Sequence, residues 1–345
     1  MIIKLGNKIQ IGNNLRPLIV AEISGNHCGN KKKFLNHIKV AKESGADLVK
    51  IQTYEPEDIT SNKNKYYIQK GLWKSKSLWS LYNKAHTPIS WHKDAFRLAK
   101  KLKILLFSTP FSIRCVDILE KFKVSIYKIS SLEITDYNLI KYIASKRKPI
   151  ILSTGTANIN EIKKAVKIIN KYHNKIILLH CISKYPTKEE NAQIRSINFL
   201  RKKFKKNLIG LSDHTKDIFS SLASVPLGAV LIEKHFKTDE KLKSVDSNFS
   251  IDPIKMRNLK RFSEQMFISL GEKKFKNFKI ENDSLFFRRS LFAKINIEKG
   301  ERFSEKNIVS LRPLIGVGAE NFFKIIGKKS KNKIKAGYPI LRKSI

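Results

Sequence analysis

The sequence predicts a (β/α)8 TIM barrel followed by a small β-rich domain, and three observations carry that reading. Eight short apolar runs alternate with amphipathic helical stretches from residue 18 to about 271. The runs are nearly continuous in Val, Ile and Leu, as strands covered on both faces are, and crossover helices between them imply a parallel sheet. The first run lacks a glycine-rich phosphate turn, since "AEISGNHCGN" does not spell GxGxxG, which disfavours a doubly wound open sheet. Eight βα units over roughly 250 residues is the arithmetic of a barrel.

In chain order the expected strands are "LIVAEIS" (18–24), "LVKIQTY" (48–54), "ILLFSTP" (104–110), "SIYKISS" (125–131), "PIILSTG" (149–155), "IILLHCIS" (176–183), "LIGLSDH" (208–214) and "AVLIEKHF" (229–236). Helix candidates include 32–44, 91–102, 160–172 and 252–270, each with apolar residues at helical spacing. The interval between the second and third strands is the longest, and its aromatic stretch "YYIQKGLWKSKSLWSLYNKAHTP" predicts either a lid over the mouth or an extra helix on the rim. The polar stretch 272–283 reads as a linker between a catalytic domain, 1–271, and a small domain, 284–345. Within the small domain "EKGE" and "KAGY" are turn signals, and "SEKN" is a possible helix start.

Composition narrows the function classes. The chain of 345 residues has 69 Lys+Arg against 29 Asp+Glu, a net charge of +40. The excess is lysine spread along helical faces without a compact basic block, so a nucleic-acid-binding protein is only a remote alternative, while an anionic substrate suits the field. Three cysteines, Cys28, Cys115 and Cys181, follow no disulfide or zinc spacing and fit a reducing cytoplasm. No run of about 18 apolar residues occurs, so no membrane association is expected.

Barrel chemistry sits at the C-terminal strand ends, and here nearly every strand ends in polar residues. Lys50 with Gln52, Ser212 with His214, and Glu233 with His235 are spaced by two, placing each pair on one strand face. A lysine inside an apolar run needs a counter-charge. Lys50 and Lys128 with Thr109, Ser131, Ser153 and Ser212 would suit a phosphate and a carboxylate, and an internal ion pair with Glu22 or Glu133 is the alternative. His214 and His235, on adjacent strands, could share a divalent ion, although strand-end histidines more often serve only as hydrogen-bonding groups. A Schiff-base aldolase using Lys50 or Lys128 is a further enzyme class open to the same residues.

The motifs "IVAEISGNH", "GADLVKIQTY", "FSTPF", "YKISSLEITDYNLI", "KPIILSTGTA", "LLHCISKYPT", "GLSDHT" and "IEKHF", then "RRSLFAKINIEKGE" and "SLRPLIGVG", span nearly the whole chain. With them the sequence resembles the sialic acid synthase family, and "GLWKSKSLWSLYNKAHTPISWH" with "EITD" resembles its pseudaminate branch. The resemblance implies a C-terminal antifreeze-like (SAF, β-clip) domain. It implies condensation of phosphoenolpyruvate with the open-chain aldehyde of 2,4-diacetamido-2,4,6-trideoxy-L-altrose, with C–O cleavage, giving pseudaminic acid and phosphate. The alternative is an N-acetylneuraminate or legionaminate synthase. By the same resemblance His214 and His235 hold a divalent metal, Mn²⁺ ahead of Mg²⁺ or Co²⁺, that polarises the aldehyde. Lys50, Thr109, Lys128, Ser131, Ser153, Ser183 and Ser212 bind phosphoenolpyruvate beside Gln52. Glu22 manages proton transfer, Glu133 stands near the developing cation, and Tyr185 and Asp246 contact the sugar. Arg312 corresponds to an arginine that reaches the partner's barrel in a domain-swapped homodimer. Cys28 and the loop "KLKSVDSNF" depart from the family pattern.

Overall fold

The computed structural model describes residues 1–6, 9–63, 65–271 and 279–345. The chain forms two compact units, Met1–Gly271 and Glu272–Ile345. The first opens with an antiparallel hairpin, β1 (Ile2–Leu5) and β2 (Ile9–Gly12). Eight parallel strands follow: β3 (Leu18–Glu22), β4 (Leu48–Thr53), β5 (Leu105–Pro110), β6 (Tyr127–Ile129), β7 (Ile150–Ser153), β8 (Ile176–Cys181), β9 (Leu208–Asp213) and β10 (Leu231–His235). They close in sequence order, β10 pairing with both β9 and β3. The expected barrel is therefore present.

Strand geometry divides the core into two layers, because alternate residues face opposite sides. Ile19, Ala21, Val49, Ile51, Ile150, Leu152 and Ile232 face the helices and join one cluster. Leu18, Val20, Leu48, Phe107, Ile151, Ile177, Leu208 and Leu231 form a second cluster inside the barrel, packed with Ile3, Leu5 and Ile11 of the hairpin. The hairpin thus closes the N-terminal end of the barrel, which the sequence reading did not anticipate. Higher up the same inward parity carries Lys50, Thr109, Lys128, Ser153, Ser212 and Glu233 into the mouth.

Helices α1 (Lys31–Glu43), α2 (Leu78–Ala85), α3 (Ile89–Lys101), α4 (Ile113–Lys121), α5 (Tyr137–Ser145), α6 (Ile159–Asn170), α7 (Ser196–Lys203), α8 (Phe219–Ser224) and α9 (Pro253–Ser269) accompany the strands. Side chains cap several starts. Asn158 accepts from Glu161 N in a full capping box before α6, and Asp252 accepts from Ile254 N and Lys255 N ahead of Pro253 in α9. The long interval after β4 contains both things foreseen as alternatives. Residues 66–78 make a small flap, held by Ile68 N to Lys76 O and Leu78 N to Tyr66 O, and α2 lies on the rim.

The second unit has its own core of Leu291, Phe303, Ile308, Ile325, Ile334 and Ile340. Its antiparallel pair is β11 (Ser290–Ala293) with β12 (Ile308–Leu311), and the short α10 (Phe322–Ile325) follows them in the chain. Of the expected linker, 272–278 lies outside the described residues, and 279–283 begins a 3-10 helix, Lys279–Phe287. "SEKN" closes a turn instead of starting a helix: Asn307 Oδ1 accepts from Ser304 N, and its amide donates to Glu301 and to the Arg302 carbonyl.

Candidate active site

The C-terminal mouth of the barrel holds a cavity of ≈ 180 Å³. Its floor carries the buried Lys50, Lys128 and Glu233, and Glu22 lies fully buried behind Lys50, outside the lining. Lys50 Nζ lies 2.6 Å from Glu22 Oε2 and 3.4 Å from Glu233 Oε1, and donates to Thr109 Oγ1 at 3.3 Å. Lys128 Nζ donates to both oxygens of Glu233, at 2.8 and 3.0 Å, and Ser212 donates to Oε1 at 3.2 Å. An internal ion-pair network therefore exists, but the partner of Lys128 is Glu233 and not Glu133. The reason is closure: β6 and β10 face each other across the barrel.

The two glutamates are driven apart. Burial raises both, but Glu233 touches two lysines, which outweigh burial and hold its carboxyl at about 2. Glu22 is fully buried against one lysine and feels the charge of Glu233, so its pKa is raised to about 7. Such a split separates a fixed counter-ion from a group able to gain or lose a proton near neutrality. Lys50 is raised, its two carboxylates outweighing burial, whereas Lys128 is lowered by burial, with Lys50 nearby. Glu133, after β6, accepts a hydrogen bond from Ser130 and is raised to about 7, chiefly by burial.

Hydroxyls gather around Gly155. Its N–H donates to Ser131 Oγ at 3.1 Å, and a Cβ there would fall 2.3 Å from Ser183 Oγ and 2.8 Å from Ser131 Oγ, so only glycine fits. Ser153 Oγ is buried without a hydrogen-bond partner, an unmet donor aimed at the floor. Ser183 sits behind Gly155 and does not line the cavity.

Above the floor the imidazoles of His214 and His235 stand 5.4 Å apart, centroid to centroid. His214 Nδ1 lies 2.9 Å from the Ile182 carbonyl, to which it donates, and, against burial, Cys181, that carbonyl and Asp213 raise its pKa above the ordinary histidine value. Burial and neighbouring cations, His214 first among them, hold His235 well below the usual histidine range, and its Nδ1 is buried without a partner. Two such imidazoles suit a divalent ion. No group of three or more His, Cys, Asp or Glu converges among the described residues, so further ligand positions would fall to substrate and water.

Tyr185 packs on His214, with ring centroids 4.2 Å apart, and Phe249 on His235, 4.7 Å apart. Asp246 Oδ2 accepts from Gly25 N at 2.9 Å, and its carboxyl is raised by burial; Gln52 donates to Ser24 Oγ at 3.0 Å. Asp246 lines the cavity despite its altered loop. Arg312 follows β12 in the second unit and is exposed there. Sequence reasoning gave Glu233 no role, although its spacing of two from His235 was a usable signal. Trp73, Cys181 and Phe249 also line the cavity and had none.

A closed barrel that concentrates buried cations, hydroxyl donors, a proton-labile carboxyl and two imidazoles at its mouth defines an enzyme site. Comparison with known proteins names the class more closely. The NeuB family pattern matches residues 37–275 and the SAF domain pattern residues 288–345. A Campylobacter jejuni protein named pseudaminic acid synthase is 39% identical, covering 95% of this chain and 97% of its own. An N,N'-diacetyllegionaminic acid synthase from the same species is 37% identical over 91% of this chain and 95% of its own. The crystal structure of an N-acetylneuraminic acid synthetase from Leptospira borgpetersenii, in complex with citrate, superposes with a TM-score of 0.75 at 32% identity, covering 83% of this chain and 95% of the other. The chain belongs to the NeuB family and carries a C-terminal SAF domain.

Proposed function

We propose that the protein condenses phosphoenolpyruvate with the open-chain aldehyde of 2,4-diacetamido-2,4,6-trideoxy-L-altrose, giving pseudaminic acid and phosphate. The observation that carries this is the floor of Lys50, Lys128 and hydroxyls beneath two facing imidazoles, in a chain similar almost end to end to a pseudaminic acid synthase.

In this reading Lys50 and Lys128 hold the phosphate and carboxylate of phosphoenolpyruvate, helped by Thr109, Ser131, Ser153 and Ser212. Ser183, behind Gly155, is given to phosphoenolpyruvate by the family resemblance alone. His214 and His235 would hold a divalent ion, Mn²⁺ ahead of Mg²⁺ or Co²⁺, which when bound supplies Lewis-acid withdrawal from the aldehyde oxygen. The C3 carbon of phosphoenolpyruvate bonds to the aldehyde carbon, whose oxygen gains a proton. Water adds at C2 and gives up a proton, and the tetrahedral C2 then loses phosphate by C–O cleavage. Glu22 and Glu133, both poised near 7, exchange those protons, while the fixed charge of Glu233 faces the cation developing at C2. Gln52 stands beside phosphoenolpyruvate, and Tyr185 and Asp246 orient the sugar. The family resemblance further suggests a domain-swapped homodimer in which Arg312 completes the partner's site, and the free cysteines suit work in the cytoplasm. No described helix is long and apolar enough to cross a membrane.

The test is product analysis by mass spectrometry and NMR after incubation with phosphoenolpyruvate and each sugar. Pseudaminic acid from the altrose, lost with a chelator and restored by Mn²⁺, is expected. Turnover of N-acetylmannosamine alone would reject the reading, and substrate-dependent trapping by borohydride would favour a Schiff-base aldolase. The 37% identity to a legionaminic acid synthase supports the second reading, for which the legionaminate precursor would be the sugar consumed.

A further inference from the structure

The cavity is lined by two kinds of surface. Its floor is ionic, whereas Trp73, Val245 and Phe249, with Leu81 and Ala85 of α2, give the lining its apolar surface, interleaved with Tyr82, Tyr185 and Asp246. Trp73 comes from the tip of the 66–78 flap, where its neighbours Leu72, Lys74, Ser75 and Lys76 are exposed and the indole alone turns inward. The ring meets Tyr185 at 5.8 Å and Phe249 at 6.2 Å between centroids. Its Nε1 donates to the Val245 carbonyl at 3.2 Å, next to Asp246. On the far side of Trp73 and Val245 lies a separate cavity of ≈ 570 Å³ lined by Lys76, Lys84, Lys243 and Asn83. Trp73 is thus the partition between a cationic outer chamber and the inner site.

An indole has one polar hydrogen and no acceptor, and here Val245 takes that hydrogen. The face turned to the inner cavity therefore offers a ligand carbon only. A hydroxyl placed against it would lose its water without gaining a partner, whereas a methyl would gain contact. We infer that Trp73 is a specificity-determining residue that packs on the deoxygenated C6 methyl end of the open-chain sugar and disfavours a 6-hydroxyl. The inference rests on the proposed reaction and adds to it the feature of the sugar that the flap reads.

The experiment compares kcat/KM for the 6-deoxy sugar and for the otherwise identical 6-hydroxylated sugar. An apolar wall of this kind discriminates against an added hydroxyl by about 10²-fold. Trp73→Ala should bring the ratio down to within about fivefold, while the KM for phosphoenolpyruvate moves less than about twofold, because the ionic floor is untouched. Trp73→Phe, which keeps the carbon face and loses the hydrogen bond to Val245, should retain most of the preference. A ratio unchanged in Trp73→Ala, or lost equally in Trp73→Phe, would overturn the inference while leaving the proposed reaction standing. Absence of product from either sugar with the unaltered protein would overturn the proposed reaction and this inference with it.

Discussion

Single residues decide which charges this site can move. Glu133 is partly buried beside Ser130, and burial raises its carboxyl from the ordinary 4.5 to about 7. Below pH 4.5 the folded and unfolded chains both carry the proton. Between 4.5 and 7 only the folded chain does, so folding takes up a proton and stability falls as the pH rises; above 7 the loss is complete. Urea unfolding of Glu133→Gln against the unaltered protein should show no relative gain at pH 4 and a gain of about 2 kcal/mol at pH 8, somewhat less than the full shift would carry because part of the side chain meets water. A difference that does not change with pH would mean that Glu133 titrates normally. Lys50, Lys128 and both histidines were legible from sequence because a charged or polar residue in an apolar strand is conspicuous. Glu233 was equally visible and lacked only a partner, and nothing local in the sequence points to Lys128, 105 positions away.

At the scale of elements, β9 and β10 present His214 and His235 on the inner side and an ion pair on the outer. Lys234 is fully buried and donates to Asp213 Oδ2 at 3.0 Å and to the Thr215 carbonyl at 2.5 Å, while Ser221 of α8 donates to the same carboxyl at 2.5 Å. This network ties α8 to the two strand ends, and Lys234 pairs with Asp213 in register one step below the imidazoles. Asp213→Asn would leave a buried ammonium uncompensated and should cost about 3–5 kcal/mol by urea unfolding, whereas Asp213→Leu with Lys234→Met should cost much less. Equal losses would mean that packing, and not charge, holds the pair. The strands themselves were read from sequence to within about two or three residues, since apolar runs of that length have few other uses. The β1–β2 hairpin was not read, because Ile3, Leu5 and Ile11 look like an ordinary exposed alternation until an open barrel end exists to receive them.

For the whole molecule the open matter is how many chains make one site. Arg312 is exposed in the second unit, and the family resemblance gives it to a partner's barrel. If so, Arg312→Ala and His235→Ala proteins, each inactive alone, should recover up to about a quarter of full activity when co-refolded, as hybrid dimers form with one intact site. No recovery despite verified subunit exchange would restrict Arg312 to its own barrel or to no catalytic part. What the sequence by itself determined was the count of βα units, the inward parity of Lys50, Ser212, Glu233 and His235, and the family, because each of these depends on local spacing along the chain. Only the tertiary structure decided which charges meet. Lys128 reaches Glu233 because the barrel closes, Glu22 stays proton-labile because Glu233 has taken the second lysine, and Trp73 reaches Val245 across 172 positions because the flap folds over the mouth. Such pairings follow from distances through space, which local spacing along a strand or helix does not encode.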